Sequence, residues 1–163
     1  MALQLFTFFF ATLLAGTVFA YPNVGDKVQW TGTVKQPDGS LMEVKIIKEV
    51  TSFNKKENKW TVKYEATMGS ETSTQLIQVD NLYSPDRYKE MMANCMLQGG
   101  VVEKISTPAG NYDTCKMTTV ASDGSTVEKW WGNIPFGVVS KNTRTNNTAL
   151  LKKPDLNSVI AGL

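Results

Sequence analysis

The side chains able to do chemistry are limited in type, because the 163-residue chain contains no histidine and only two cysteines. Without histidine, Ser-His-Asp and Cys-His arrangements are impossible, and the most common zinc ligand is missing. The glycine motifs of nucleotide-binding loops and the GxSxG nucleophile motif do not occur. The 15 acidic residues leave a catalytic carboxylate pair possible, although most occupy polar strand positions or turns. We therefore expect no enzyme, no cofactor and no metal, with a carboxylate-dependent hydrolase as an alternative.

A tryptophan pair is a candidate for ligand binding. Trp130 and Trp131 stand in the segment KWWGNIPFG, residues 129–137, directly before a turn that contains two glycines and a proline. Neighbours on a strand point to opposite faces, so at most one of the two indoles lines a cavity unless a bulge intervenes. Counting in steps of two from Val127 places Trp131 on the apolar side and Trp130 on the other. Lys129 lies in phase with Trp131 and interrupts that apolar side.

One amphipathic helix is predicted within residues 84–97, SPDRYKEMMANCML. Ser84 can cap this helix, and Pro85 suits its first position. Sulfur-bearing side chains recur at a spacing of three and four residues: Met91, Met92, Cys95 and Met96. Thioether and thiolate ligands suit copper(I), but methionines at this spacing more often pack in a core. We expect the stripe to form an adaptable apolar lid that lies against a sheet.

The first twenty residues, MALQLFTFFFATLLAGTVFA, contain no charged side chain and carry an apolar run over residues 3–14. With small or short residues at Val18 and Ala20, this pattern is typical of a secretory signal peptide cleaved after Ala20. The alternative is an uncleaved membrane anchor, but the run is short for the ~20 apolar residues that a span needs. We expect a signal peptide at residues 1–20 and a single domain at residues 21–163 in a periplasmic or secreted protein.

The two cysteines, Cys95 and Cys115, have nineteen residues between them. An even number of cysteines after an export signal predicts a disulfide. The alternative is a redox or metal-binding pair, which the absence of a CxxC spacing and of histidine disfavours.

The net charge of +2, with both signs interspersed, gives no basic stripe and no reason to expect a nucleic-acid partner.

Alternating apolar and polar residues dominate the rest of the chain, as in WTVKYEA at residues 60–66. This period is typical of half-buried antiparallel strands. About four such strands occupy residues 26–80, and four or five more follow between residue 101 and a last strand at residues 148–152. We expect a mainly β (α+β) fold: a curved antiparallel sheet or unclosed barrel of about eight or nine strands, with one helix over its concave face.

The second half of the chain resembles a recurring pattern in exported bacterial β proteins of unknown function. The residues that carry it are Gly99-Gly100, ISTPAGNYDTC at residues 105–115, and Trp130-Trp131 followed by IPFGVV at residues 134–139. Those proteins look similar to the superfamily of the lipoprotein carriers LolA and LolB. Over residues 95–141, the resemblance implies a strongly curved, unclosed sheet whose helix covers a concave mouth that holds acyl chains. It carries over no individual ligand-binding residue.

These patterns together predict an exported, non-catalytic binding protein with an apolar cavity for an acyl chain, a lipid or a lipidated peptide. The residues expected to line this cavity are Trp30, Trp60, Tyr64, Met92, Met96, Trp131 and Phe136. One alternative is an envelope structural or protein-interaction module whose core is filled, and another is the hydrolase. The expected partners are a hydrophobic ligand or an envelope protein, with no stable membrane span after cleavage.

Overall fold

The computed structural model describes residues 21–36, 38–144 and 161–162. The predicted signal peptide, residues 1–20, and the last predicted strand, residues 148–152, lie outside these described residues. Within them, the chain forms two antiparallel sheets and one helix. The prediction of a mainly β fold with a single helix is confirmed.

Sheet 1 is an antiparallel meander in which each strand pairs with the next along the chain. Its strands are β1 (Lys27–Lys35), β2 (Leu41–Asn54), β3 (Lys59–Met68) and β4 (Glu71–Val79). The alternation seen in the sequence gives the sheet one apolar face, because successive side chains of a strand point to opposite sides. The buried residues of that face include Val28, Trp30, Val44, Val50 and Val62. Most of these are valines, which suit a pleated and half-buried surface.

The helix, α1 (Pro85–Asn94), begins as the sequence predicts. The Ser84 side chain accepts a hydrogen bond from the backbone N–H of Arg87 at 3.3 Å, and Pro85 occupies the first turn. The helix ends sooner than predicted, and residues 95–99 form turns. None of its residues is buried. It therefore does not pack on the apolar face of sheet 1 as a lid, and its main strand contact is with residues 110–120.

Sheet 2 is a second antiparallel meander. Its strands are β5 (Val101–Thr107), β6 (Gly110–Val120), β7 (Thr126–Trp131) and β8 (Val138–Arg144). The described strands thus form two sheets where one curved sheet was expected, because α1 and its flanking turns separate β4 from β5. A two-residue segment, β9 (Ala161–Gly162), pairs with the outer edge of β1.

Two contacts join α1 to sheet 2. Cys95 and Cys115 form a disulfide, as predicted, which ties the end of α1 to β6 with the two Cα atoms 5.7 Å apart. The Tyr88 hydroxyl donates to the carbonyl oxygen of Asp113 at 3.2 Å and makes a second link to the same strand. The disulfide leaves neither cysteine as a free thiolate, so the copper(I) alternative loses its soft anionic ligand.

Candidate functional site

An open groove of about 410 Å³ lies where the apolar face of sheet 1 meets α1 and sheet 2. Its volume falls within the range of about 300–1,000 Å³ that is usual for ligand pockets. Three parts of the chain line it: Lys48, Val62, Tyr64, Ile77 and Val79 from sheet 1; Asn81, Leu82, Tyr83 and Arg87 from the connection and α1; Trp131 and Phe136 from sheet 2 and its turn. Apolar and aromatic side chains therefore make up most of its wall.

The turn between β7 and β8 fixes the aromatic end of the groove. Its ends are joined by a hydrogen bond from the Gly132 N–H to the carbonyl oxygen of Gly137 at 2.8 Å. Phe136 and Gly137 both have positive φ, at 64° and 76°. Glycine adopts this region without a steric penalty, whereas other residues occupy it only when their surroundings hold them there. The turn thus directs the Phe136 ring toward Trp30, with the ring centroids 6.4 Å apart in an edge-on arrangement.

Tyr83 closes the other side of this aromatic wall. Its ring centroid lies 5.7 Å from that of Trp131. A Cβ atom added at Gly137 would stand 2.8 Å from the Tyr83 ring, so the ring lies directly over the glycine. Burial raises the pKa of the Tyr83 hydroxyl to about 12, and this oxygen has no hydrogen-bond partner among the described residues. A smaller pocket of about 240 Å³, beneath α1, shares Tyr83, Arg87 and Trp131 with the groove.

Two cationic side chains, Lys48 and Arg87, line the groove, and none of its lining residues is Asp or Glu. The Lys48 ammonium nitrogen lies 5.8 Å from the ring centroids of Trp30 and Phe136 and 6.0 Å from that of Tyr64. These distances are at the outer limit of a cation–π contact. Burial, and after it the charge of Lys129, lowers the pKa of Lys48.

Two further lysines stand on the side of sheet 2 that carries Trp131. Lys129 of β7 is directly opposite Lys141 of β8, and its ammonium nitrogen lies 5.9 Å from the Trp131 ring centroid. Burial and the charge of Lys129 lower the pKa of Lys141. Like charges directly opposite each other destabilise a sheet. None of Lys48, Lys129 and Lys141 forms an ion pair with a carboxylate of the described residues.

The opposite side of sheet 2 has balanced charges. The Trp130 indole N–H donates to the Glu103 carboxylate, and the Lys116 ammonium lies 5.1 Å from the centroid of the Trp130 ring. Lys116 also contacts Glu128 at 2.6 Å, and Arg144 contacts the same carboxylate at 3.4 Å. The hydrogen bond from Lys116 holds the pKa of Glu128 below its usual range. Trp130 thus belongs to a polar network and not to the groove.

The structure brings together some of the residues predicted to line a cavity and separates others. Tyr64, Trp131 and Phe136 line the groove. Trp30 is buried beside the groove and contacts the Phe136 ring, whereas Trp60 stacks on Phe53 with the ring centroids 4.3 Å apart and is not in the lining.

The two methionines proposed for the cavity lie elsewhere. Met92 is half-buried on α1, and Met96 is 78% exposed in the turn after the helix; neither is in the groove lining. The spacing of three and four residues that predicted a lid continues to Met96, but α1 ends at Asn94. Met96 therefore lies outside the helix and does not belong to the predicted helical stripe.

Three lining residues with functional potential were not predicted from the sequence: Lys48, Tyr83 and Arg87. A signal for Lys48 was present, because it follows Val44 and Ile46 in steps of two and interrupts an otherwise apolar face of β2. Tyr83 and Arg87 lie in the connection to α1 and in its first turn, where no alternation indicates which way a side chain points.

A depression of about 560 Å³ is larger than the groove but less suited to a ligand. It lies on the other end of sheet 1 and is lined mainly by polar residues of β1, β2 and β3, such as Thr31, Thr33 and Thr67. It has no aromatic side chain in its lining. The smaller groove is therefore the candidate site.

Comparisons with known proteins yield no relative for this chain. No protein-family model matches it, and no curated protein or solved structure matches it. In the described ranges, no helix is long and apolar enough to cross a membrane. The same residues contain no group of three or more Cys, Asp or Glu side chains placed to hold a metal ion. The resemblance to the lipoprotein-carrier superfamily stays a prediction.

Proposed function

We propose that this chain is a non-catalytic binding protein that holds the acyl chain of a lipid-like molecule in the groove between sheet 1, α1 and the turn before β8. The observation that carries this proposal is the composition of the groove wall, where Val62, Ile77, Val79 and Leu82 lie beside four aromatic rings. An acyl chain would bind because its methylenes leave water for this apolar surface.

The length of the bound chain provides a quantitative test. Each methylene removed from water contributes about 0.8 kcal/mol, which corresponds to a roughly fourfold change in affinity. We expect the affinity for primary alcohols of eight to fourteen carbons to rise by about this factor per carbon and then to level off when the groove is full. Isothermal titration calorimetry would measure the series. An affinity that is independent of chain length would refute the proposal.

Two neighbouring residues of β4 supply a matched pair of variants. Ile77 lines the groove, whereas Leu76 points to the other side of the sheet and is 69% exposed. Ile77→Asp would place a charge in the groove wall and should weaken alcohol binding by at least tenfold. Leu76→Asp places the same charge outside the groove and should leave binding within twofold of the unsubstituted chain.

The hydrolase alternative gains no support at this groove, because its lining contains no carboxylate. The interaction-module alternative is favoured by one observation: every residue of β4 from Glu71 to Gln78 is exposed, and β4 is an outer strand of its sheet. An exposed strand edge can pair with another chain. If the chain acts in this way, Thr74→Pro should disrupt backbone pairing between β4 and a partner chain. Alcohol binding in the groove should be retained in this variant.

We also propose that the protein is exported, to the periplasm or the medium, with residues 1–20 as its signal peptide. The Cys95–Cys115 disulfide supports this proposal, because disulfides persist in oxidising compartments and are rare in the cytosol. Amino-terminal sequencing of the protein purified from its producing host should read from Tyr21. A chain that retains residue 1 would contradict the proposal.

A further inference from the structure

Three lysines, here called the lysine cluster, are Lys48, Lys129 and Lys141. Lys48 lines the groove, Lys129 lies beside the lining residue Trp131, and Lys141 is directly opposite Lys129. We propose that this cluster binds the anionic headgroup, a carboxylate or a phosphate, of a single-chain amphiphile whose acyl chain occupies the groove. This inference rests on the proposed function and adds to it the chemical class of the ligand.

The lysine cluster is assembled by both sheets. Lys48 extends from β2 of sheet 1 and is part of the groove lining. Lys129 and Lys141 face each other across β7 and β8 of sheet 2. The Lys48 ammonium nitrogen lies 5.8 Å from the Phe136 ring centroid, and that of Lys129 lies 5.9 Å from the Trp131 ring centroid. Both rings line the groove, so these two ammonium groups lie beside the same aromatic wall. The charge of Lys129 also contributes to the lowered pKa values of Lys48 and Lys141.

Among residues 21–36, 38–144 and 161–162, no carboxylate forms an ion pair with the lysine cluster. The acids of the adjacent strands are directed elsewhere: Glu49 contacts Lys27, Glu65 contacts Lys63, and Glu128 contacts Lys116 and Arg144. Uncompensated cations that are partly withdrawn from water cost free energy in the folded chain. A bound anion would offset that cost, because charge-assisted hydrogen bonds to ammonium groups are among the stronger polar interactions.

The surroundings of Lys48 favour an amphiphile over a free anion. Its ammonium group is close to the rings of Tyr64 and Phe136, and both of these residues also line the groove. A headgroup bound at Lys48 would therefore have its alkyl chain adjacent to the aromatic wall. The described residues of the lining include no Asp or Glu side chain that would repel the headgroup.

The test compares four ligands with the same assay, isothermal titration calorimetry on the chain purified after expression with its own leader. The ligands are decanoate, decyl phosphate, decanol and inorganic phosphate, the amphiphiles being used below their micelle concentrations. We expect decanoate and decyl phosphate to bind at least tenfold more tightly than decanol, and inorganic phosphate to bind at least a hundredfold more weakly than decyl phosphate.

Charge-removing variants then locate the headgroup. Lys48→Met and Lys129→Met should each weaken decanoate binding by at least tenfold. Lys129 is not among the residues that line the groove, so Lys129→Met should change decanol binding by less than twofold. Lys48→Arg, which keeps the charge, should restore most of the affinity for decanoate. Lys45→Met is the matched control, because Lys45 is on the same strand but exposed on the other side of the sheet. If one variant fails to fold, the other supplies the result.

The outcomes separate this inference from the proposed function. Equal binding of decanoate and decanol would overturn the headgroup site while the acyl-chain function stands. Inorganic phosphate binding as tightly as decyl phosphate would overturn the amphiphile as ligand. A preference for decanoate that survives in both methionine variants would place the headgroup elsewhere and overturn the inference. Failure of every decyl ligand to bind would overturn both proposals.

Discussion

The contact between Gly137 and Tyr83 makes the most precise prediction about the groove. In Gly137→Ala, the new residue must adopt a φ of about 76°, a left-handed conformation that costs an L-residue roughly 1–2 kcal/mol. The added Cβ would also lie 2.8 Å from the Tyr83 ring, which forces the ring to move. Overpacking of this kind costs typically about 1–3 kcal/mol. We expect the two effects together to lower the free energy of unfolding by about 2–5 kcal/mol.

Gly124→Ala is the matched control for this prediction. Gly124 has a similar φ of 80°, but a Cβ added there would meet nothing within 4 Å. Gly124→Ala should therefore lower the free energy of unfolding only by the cost of the left-handed conformation, about 1–2 kcal/mol. The difference between the two variants isolates the contact with the Tyr83 ring.

Urea unfolding followed by tryptophan fluorescence would measure both variants, and calorimetry would measure decanol binding. Because Tyr83 lines the groove, Gly137→Ala should weaken decanol binding by at least threefold, whereas Gly124→Ala should not change it. Equal losses of stability in the two variants would show that Gly137 does not constrain the Tyr83 ring. Unchanged decanol binding in Gly137→Ala would show that the ring position does not shape the site.

Three further predictions concern stability. Replacing Cys95 and Cys115 by alanine opens a loop of 20 residues and should lower the free energy of unfolding in urea by about 3 kcal/mol. A loss below about 1 kcal/mol would contradict the view that the disulfide stabilises by closing this loop. Glu128→Gln should cost about 1.5 kcal/mol or more, because Lys116 loses a charged hydrogen-bond acceptor. Since the pKa of Glu128 is lowered in the folded chain, this difference should disappear as the pH falls through that pKa. The pKa of Tyr83 is raised to about 12 in the folded chain, whereas the unfolded chain loses this proton near pH 10. The free energy of unfolding should therefore fall as the pH rises from about 10 to about 12. Tyr83→Phe should remove this contribution to the loss of stability at high pH. At pH 7 it should change the free energy of unfolding little, because the hydroxyl has no hydrogen-bond partner among the described residues.

Local signals in the sequence predicted most of the secondary structure. Alternation located the strands of both sheets, and Ser84 with Pro85 located the start of α1. The end of α1 was predicted less well. The backbone N–H of Gly100 bonds to the carbonyl oxygen of Cys95 at 2.8 Å, and the Cys95 side chain is drawn into the disulfide. This local hydrogen bond and the long-range disulfide accompany the end of the helix at Asn94, whereas the apolar spacing in the sequence continues to Met96.

The candidate site was predictable only in part. Alternation separated Trp131, which lines the groove, from Trp130, which joins a polar network on the other face. It could not show that Met96 would be exposed, because that depends on where the helix ends. Alternation also identified Lys129 only as an interruption of an apolar face, whereas the structure places this residue directly opposite Lys141 and beside the Trp131 ring.

The sequence by itself determined which residues alternate, where a helix can begin and which two cysteines can pair, because these properties depend on neighbours along the chain. The tertiary structure alone decided that Lys48 of sheet 1 lies beside Phe136 in the turn between β7 and β8, since these residues are far apart in the chain. The physical reason is that side-chain alternation specifies the face of a strand but not the surface against which that face packs. The groove exists only where the two sheets meet.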